Sequence, residues 1–277
     1  MHDLRLQILS LSQLCNGGTW QIELAHDRPH HMLFWFTRGQ GRMLLDGGLR
    51  GLGPHNAVFV PADTLFAVEA GAQTLAQVVM IPQGTPLRLP DMPRQLRIRD
   101  AAVQSELSGI LENAQREQST GRPLAQDALE AHAALMSVWL RRQIALEDHI
   151  PAPRSAAQRL SGRFSQLVPR YYKTGQPMAF YAQELGVTPT HLTRAVKAAT
   201  GKTAAEVLTQ RVVHAARTLL GTTTHPARNV AQHLGFRSAA YFTRFMQQHT
   251  GQSPSQLRGA AKQPTNAAQG TALLRTR

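Results

Sequence analysis

Asn229-Val-Ala-Gln-His-Leu-Gly-Phe-Arg-Ser-Ala-Ala-Tyr-Phe-Thr-Arg-Phe245 is the stretch that decides how this chain is read. It has an earlier echo. Ala231-Gln-His-Leu-Gly235 matches Ala182-Gln-Glu-Leu-Gly186. Phe242-Thr-Arg244 matches Leu192-Thr-Arg194, and Thr250-Gly-Gln-Ser253 matches Thr200-Gly-Lys-Thr203. The offset is 49 residues at the first match and 50 at the other two, so the second copy carries one extra residue in its turn. Two copies make a duplicated unit, not a solenoid.

Each copy has the pattern helix, turn, helix. In the first, Phe180, Ala182 and Leu185 form the apolar side of a short helix, which Gly186 ends because glycine tolerates a left-handed exit. Thr188 then caps a new helix with Pro189 at its first position. Leu192, Ala195 and Val196 give that helix a buried stripe. In the second copy Val230, Ala231 and Leu234 are the buried set, Gly235 breaks, Ser238 caps, and Tyr241, Phe242, Phe245 and Met246 are expected to pack. Between the copies, Ala204 to Leu220 carries Val207, Leu208, Val212, Ala215, Ala216 and Leu219 at helical spacing. A helix of that length spans ~25 Å. Successive major grooves on one face of DNA lie ~34 Å apart, so a tilt or bend would bring two such units into neighbouring grooves.

The charge supports a polyanionic partner. The 277-residue chain has a formal charge of +13, but residues 1–153 hold 13 Lys+Arg against 15 Asp+Glu, a net −2. Residues 154–277 hold 17 Lys+Arg and only Glu184 and Glu206 as acids, a net +15. A basic module joined to a near-neutral one points first to nucleic acid and second to an anionic membrane surface. Other classes are disfavoured. A single cysteine, Cys15, allows no internal disulfide framework. No run approaches the ~18 apolar residues of a membrane-spanning helix. Met1-His-Asp-Leu-Arg5 lacks the basic start and apolar stretch of a secretory leader, so a cytoplasmic location is expected.

Phe180 to Arg258 resembles the DNA-binding domain of the AraC/XylS family of bacterial transcription regulators. The resemblance is carried by residues 229–245, by Thr250-Gly-Gln-Ser-Pro254 and by Leu257-Arg258, and covers about 100 residues. Val196 stands where the family usually has an aromatic residue before the lysine. The resemblance implies that Thr190, Thr193 and Arg194 face bases in one groove, and Ala240, Thr243 and Arg244 face bases in the next. A methyl such as that of Ala240 suits contact with thymine. His191, Lys197 and Arg237 are expected on phosphates, which position rather than specify, and Ser238 completes the set. In this family activators predominate, so RNA polymerase is an implied partner.

The N-terminal half changes pattern. Leu4–Leu9, Thr19–Leu24, Met32–Phe36, Met43–Leu45, Ala57–Val60, Phe66–Val68 and Leu75–Ile81 have the character of short strands separated by turn residues. Thr37-Arg-Gly-Gln-Gly-Arg42, Leu52-Gly-Pro54 and Val60-Pro-Ala62 resemble the cupin-like sensor barrel that precedes the DNA-binding domain in many AraC-type regulators. A metal-dependent cupin enzyme fused to a DNA-binding module is the alternative. His26, His30, His31 and His55 invite it. The cupin spacing is absent: His30 and His31 are adjacent, no glutamate follows closely, and Leu65-Phe66 stands where the later histidine belongs. No catalytic residue, metal or cofactor is therefore assigned. A small-effector pocket at the barrel is expected instead, with His31, Leu33 and Trp35 sharing one strand face.

Residues 101–147 return to helical period, with Pro123 opening the second of two helices. Leu107, Ile110, Leu111 and Leu135 are candidates for a homodimer interface, against the alternative that the helices pack back on the barrel. The expected chain is thus a two-domain α+β protein. A cupin-like β-barrel (1–95) and a helical pair (96–150) precede a linker (151–158). An all-α domain (159–260) with two helix-turn-helix units joined by a linker helix follows, then a flexible tail (261–277).

Overall fold

The computed structural model describes residues 6–146 and 154–262. The start of the first expected strand, the first three residues of the expected linker and all but the first two residues of the expected tail lie outside them. The N-terminal half opens with β1 (Gln7–Ser10) and two single-turn helices, α1 (Leu11–Leu14) and α2 (Trp20–Glu23). Seven strands follow: β2 (His30–Arg38), β3 (Gly41–Leu45), β4 (Gly48–Leu52), β5 (Asn56–Val60), β6 (Phe66–Ala70), β7 (Leu75–Pro82) and β8 (Arg94–Arg97). They form a five-stranded sheet, order β1-β7-β2-β5-β8, and a three-stranded sheet, order β4-β3-β6. All strand pairs are antiparallel.

Three differences from the sequence expectation have local causes. Thr19–Leu24 is helical at α2, not a strand. Its alternation of Trp20, Ile22 and Leu24 imitates a strand, but the left-handed Gly17 and Gly18 turn the chain, and the Trp20 indole donates back to the Gly17 carbonyl at 2.9 Å. β4 is an extra strand hidden behind a glycine-rich run. Asp46 and Gly47 both have positive φ (52° and 67°), the two-residue turn that a right-twisted hairpin favours. β8, also unforeseen, is short and pairs only with β5.

The five-stranded sheet is covered on both faces, which explains why β2 is one continuous apolar run. Met32, Phe34 and Phe36 face the smaller sheet, packing with Met43, Leu45, Phe66 and Val68. Leu33, Trp35, Phe59 and Val79 face α3 (Ala101–Thr120) and α4 (Ala125–Leu146). α4 begins at Ala125, after Leu124 with φ 61°, rather than at Pro123.

The C-terminal half is helical: α5 (Ala156–Tyr171), a 3₁₀ turn (Tyr172–Thr174), α6 (Met178–Glu184), α7 (Pro189–Thr200), α8 (Ala204–Thr222), α9 (Ala227–His233), α10 (Ala239–Thr250) and α11 (Pro254–Lys262). Two apolar clusters form along α8. Ala204 and Val207 join α5, α6 and α7, while Val212, Ala215, Ala216 and Leu220 join α9 and α10. The first cluster also takes in Ala25, Leu44, Leu65 and Ala67, so the two halves of the chain share one core. Among the described residues no helix is long and apolar enough to cross a membrane.

Candidate nucleic-acid interface

The duplication seen in the sequence extends to individual hydrogen bonds. In the first turn Val187 N–H donates to the Ala182 carbonyl at 3.0 Å; in the second Phe236 N–H donates to Ala231 at 3.0 Å. Gly186 and Gly235 take φ of 69° and 78°. Thr188 Oγ1 accepts from His191 N–H at 3.2 Å, and Ser238 Oγ accepts from Tyr241 N–H at 3.1 Å. Each following helix has 12 residues and ends at a left-handed glycine, Gly201 or Gly251. Thr200 and Thr250 then bond back to the Val196 and Met246 carbonyls, both within 2.8 Å. The caps that start and stop each unit are thus the same chemistry twice.

This geometry presents matching faces. On α7, Leu192, Ala195 and Val196 are buried, whereas Thr190, His191, Arg194 and Lys197 are exposed and Thr193 is half-buried. On α10, Phe242 and Met246 are buried, whereas Ala240 and Arg244 are exposed and Thr243 is half-buried. Arg237 and Ser238 are exposed just before α10. All ten residues expected at DNA therefore reach the surface at least in part. Two of them have prior commitments: Ser238 Oγ is the cap acceptor, and Thr243 Oγ1 donates to the Ala239 carbonyl at 3.0 Å. Tyr241, expected to pack, is 55% exposed, with its ring 5.8 Å from that of Phe236.

The positive charge divides into two populations. Among the described residues, Arg194, Lys197, Arg237 and Arg244 enter no ion pair. Other cations of the basic half are held by acids of the N-terminal half. Arg154 pairs with Asp46, Lys202 with Glu69 at 2.9 Å, and Arg211 with Asp27. Lys202 and Arg42 together hold the Glu69 carboxyl below its usual range, the Lys202 hydrogen bond contributing most. Arg211 also stacks over Tyr172 at 3.7 Å and donates to its hydroxyl at 2.8 Å. So the excess of cations after residue 153 is partly a docking device, while Arg194 and Lys197 of α7 and Arg237 and Arg244 at α10 are among those left without an acid.

Residues of α8 that the sequence reading passed over complete that docking. His214 donates to the Gln21 carbonyl at 3.2 Å and stacks on His26, with ring centroids 4.3 Å apart and 11° between planes. Arg217 lies over the Trp20 ring at 4.4 Å. His26 Nδ1 donates to the Leu24 carbonyl at 2.8 Å and its Nε2 accepts from Arg28 at 3.2 Å, which fixes one neutral tautomer. Burial, then the neighbouring arginines, lowers His214 to about 3; burial and His214 likewise hold His26 well below its usual value. The signal for this contact was a set of polar residues, Arg211, His214 and Arg217, inside an otherwise apolar helical stretch.

The pocket and dimer expectations need correction. Leu33 and Trp35 are 0% and 1% exposed, filled in by α3 and α4. The Trp35 indole donates to Ser108 Oγ at 3.0 Å and its ring meets Trp139 edge-on at 6.4 Å. His31 is half-buried, its Nδ1 accepting from Ala62 N–H at 3.2 Å. This face is therefore the seam to the helical pair and not a ligand pocket. The same seam consumes Leu107 and Leu111, at 0% and 1% exposure, with Ile110 packed against it. Of the four interface candidates only Leu135, at 54%, remains well exposed. Among the described residues no group of three or more His, Cys, Asp and Glu side chains gathers as a metal-ligand set.

A helix-turn-helix domain family model matches residues 181–260, which is α6 through α11. Residues 181–260 are an AraC-type helix-turn-helix domain. The chain carrying it is a DNA-binding transcription regulator. The AraC-type domain has α7 and α10 as the second helices of its two units and α8 as the link between them. Among solved structures the chain is similar to an apo ToxT variant from Vibrio cholerae strain SCE256, at 13% identity over 94% of this chain and 98% of that one, TM-score 0.44. It is similar to wild-type ToxT of the same strain bound to unsaturated fatty acid, at 13% identity over 92% and 96%, TM-score 0.40. It is also similar to the C-terminal domain of the response regulator yesN from Fusobacterium nucleatum, at 22% identity over 34% of this chain and 93% of that one, TM-score 0.33. Comparison with curated proteins gives no match.

Proposed function

We propose that α7 and α10 enter successive major grooves of one promoter, with Thr190, Thr193 and Arg194 toward bases in the first and Ala240, Thr243 and Arg244 toward bases in the second. The observation that carries this reading is the pair of identically capped 12-residue helices, each with an exposed arginine free of ion pairs at the equivalent position. Arg donates bidentately to guanine, and an unpaired guanidinium needs no protein partner broken first. Lys197, Arg237 and His191 flank these residues and would neutralise phosphates. α8, at 19 residues, spans about 28 Å, which leaves a shortfall of only a few ångströms against the groove repeat. A modest tilt or DNA bend closes it.

The N-terminal half then acts as the regulatory body of a cytoplasmic, non-enzymatic activator. It grips α8, the element that sets the spacing of the two units, through Asp27, His26, Gln21 and Trp20. A small effector or a dimer partner acts by preferring one setting of that grip over another. A homodimer contact through the helical pair would use the outer side of α4 at Leu135, since Leu107 and Leu111 are spent on the core. Genome-wide mapping of bound DNA followed by footprinting on a recovered site tests the central reading. Two protected segments one helical turn apart are expected. A single protected segment that ignores Arg194→Ala would overturn it.

A further inference from the structure

Between the two helix-turn-helix units lies a cavity of about 460 Å³. Its walls come from both units and from the link: Tyr181 of α6, Leu208 and Thr209 of α8, Phe236 and Phe245 of the second unit, and Tyr172 of the 3₁₀ turn. Gly175 and Gly235 also line it, and their backbones pack so closely that a Cβ on either would collide with the other. The volume is in the range of sites for small organic molecules, and rings dominate its lining.

One polar group in this wall is unaccounted for. Tyr181 is fully buried, and its hydroxyl has no hydrogen-bond partner among the described residues. A buried hydroxyl left unpaired is destabilising, so such a group calls for a ligand or a water. Burial pushes it up to about 12, which keeps the proton on and makes it a donor at neutral pH. The cation at the rim, Arg237, is exposed rather than buried with it. Among the described residues that line the cavity, none carries a buried charge to offset an acid placed deep in it.

We propose that this cavity is a binding site for a compact, uncharged ring compound that carries one hydrogen-bond acceptor, held by its apolar faces against the aromatic wall and by its acceptor on the Tyr181 hydroxyl. The acceptor satisfies the orphan donor, and the rings take the place of solvent along Phe236, Phe245 and Leu208. An occupant bridges the two units, because it touches walls contributed by each.

The probe is 1-tetralone, two fused rings with one carbonyl, titrated into the full chain without DNA and followed by ligand-observed NMR and calorimetry. Tetralin, the same skeleton without the carbonyl, is the comparison. Binding at or below about 1 mM is expected for a ligand of this size. Tetralin is expected to bind about tenfold more weakly, as a lost buried hydrogen bond implies. Tyr181→Phe should abolish that difference between the two probes while preserving the fold, since it removes only the unpaired oxygen. Thr209→Phe, which places a ring in the cavity from the half-buried wall of α8, should remove binding of both probes. Either no binding of 1-tetralone up to several millimolar, or binding unchanged in both variants, would overturn the proposal. A Tyr181 hydroxyl held by water alone belongs to the first of those outcomes.

Discussion

Arg244 and Arg237 are close neighbours in the sequence, and the proposed docking gives them different work. Arg244 sits on the exposed side of α10, one turn beyond Ala240, where a base edge would lie. Arg244→Ala is expected to weaken promoter binding by about 1–3 kcal/mol and to relax preference at one base pair. Gel-shift titrations at fixed salt against wild-type and mutated promoter will show it; equal losses on every sequence would assign Arg244 to phosphate instead. Arg237 precedes the cap, where the proposed docking puts it beside the sugar-phosphate path. Arg237→Ala should weaken binding about equally on all sequences and lower the salt slope by about 1. Neither change should alter thermal stability, since both side chains are exposed and unpaired within the chain.

At the scale of elements, two glycines of the same motif are distinguishable by their surroundings. Gly186 and Gly235 both have left-handed backbones, with φ of 69° and 78°. A Cβ on Gly186 would meet open space, whereas one on Gly235 would collide with backbone atoms of Gly175, Lys173 and Thr174. Gly186→Ala should therefore cost only the conformational penalty, about 1 kcal/mol. Gly235→Ala adds a backbone clash at the joint between the units and should cost more than about 2 kcal/mol. Urea unfolding of the two variants compares them directly, and equal costs would mean that the Gly175–Gly235 joint yields easily. The equivalence of these glycines was legible in the sequence, as were the caps at Thr188 and Ser238. Their different neighbours were not, because Gly175 lies 60 residues before Gly235 and belongs to no copy of the repeat.

Across the whole molecule, the contact between the two halves is set to depend on pH. His26 and His214 stack, and they face Arg28, Arg211 with its partner Asp27, and Arg217. Both are held neutral in the folded chain, His214 down to about 3, while in the unfolded chain each takes a proton near 6.5. The unfolded state therefore binds more protons below that value, and stability falls as pH drops from 6.5 toward 3. The loss per histidine is at most about 1.4 kcal/mol per pH unit. Melting temperatures measured at pH 8, 6.5 and 5 should decline only over the lower interval. His214→Gln should flatten that decline; an unchanged slope would place the titrating group elsewhere. Arg211→Met should loosen the same contact by stranding the Asp27 carboxylate, with a cost of about 3–5 kcal/mol that an unfolding curve will register.

By itself the sequence determined the helix-turn-helix units, their link and the helical pair. Their periods, caps and breakers act within a few residues, and such local signals need no knowledge of the rest of the chain. It also placed Thr190, Thr193, Arg194 and Lys197 of α7 and Ala240, Thr243 and Arg244 of α10 outside the buried stripes, since a helix face follows from spacing alone. Only the tertiary structure decided which face of β2 meets what. Alternation separates Leu33 and Trp35 from Met32, Phe34 and Phe36, but both sets are apolar and both are buried, so period 2 cannot choose between a seam and a cavity. It alone decided that Leu107 and Leu111 serve the core, and that part of the positive charge belongs to the N-terminal half. The charge division depends on pairs more than 100 residues apart, such as Asp27 with Arg211 and Glu69 with Lys202. A charge count records that the cations exist, and only the folded chain brings the acids to some of them and leaves the rest free.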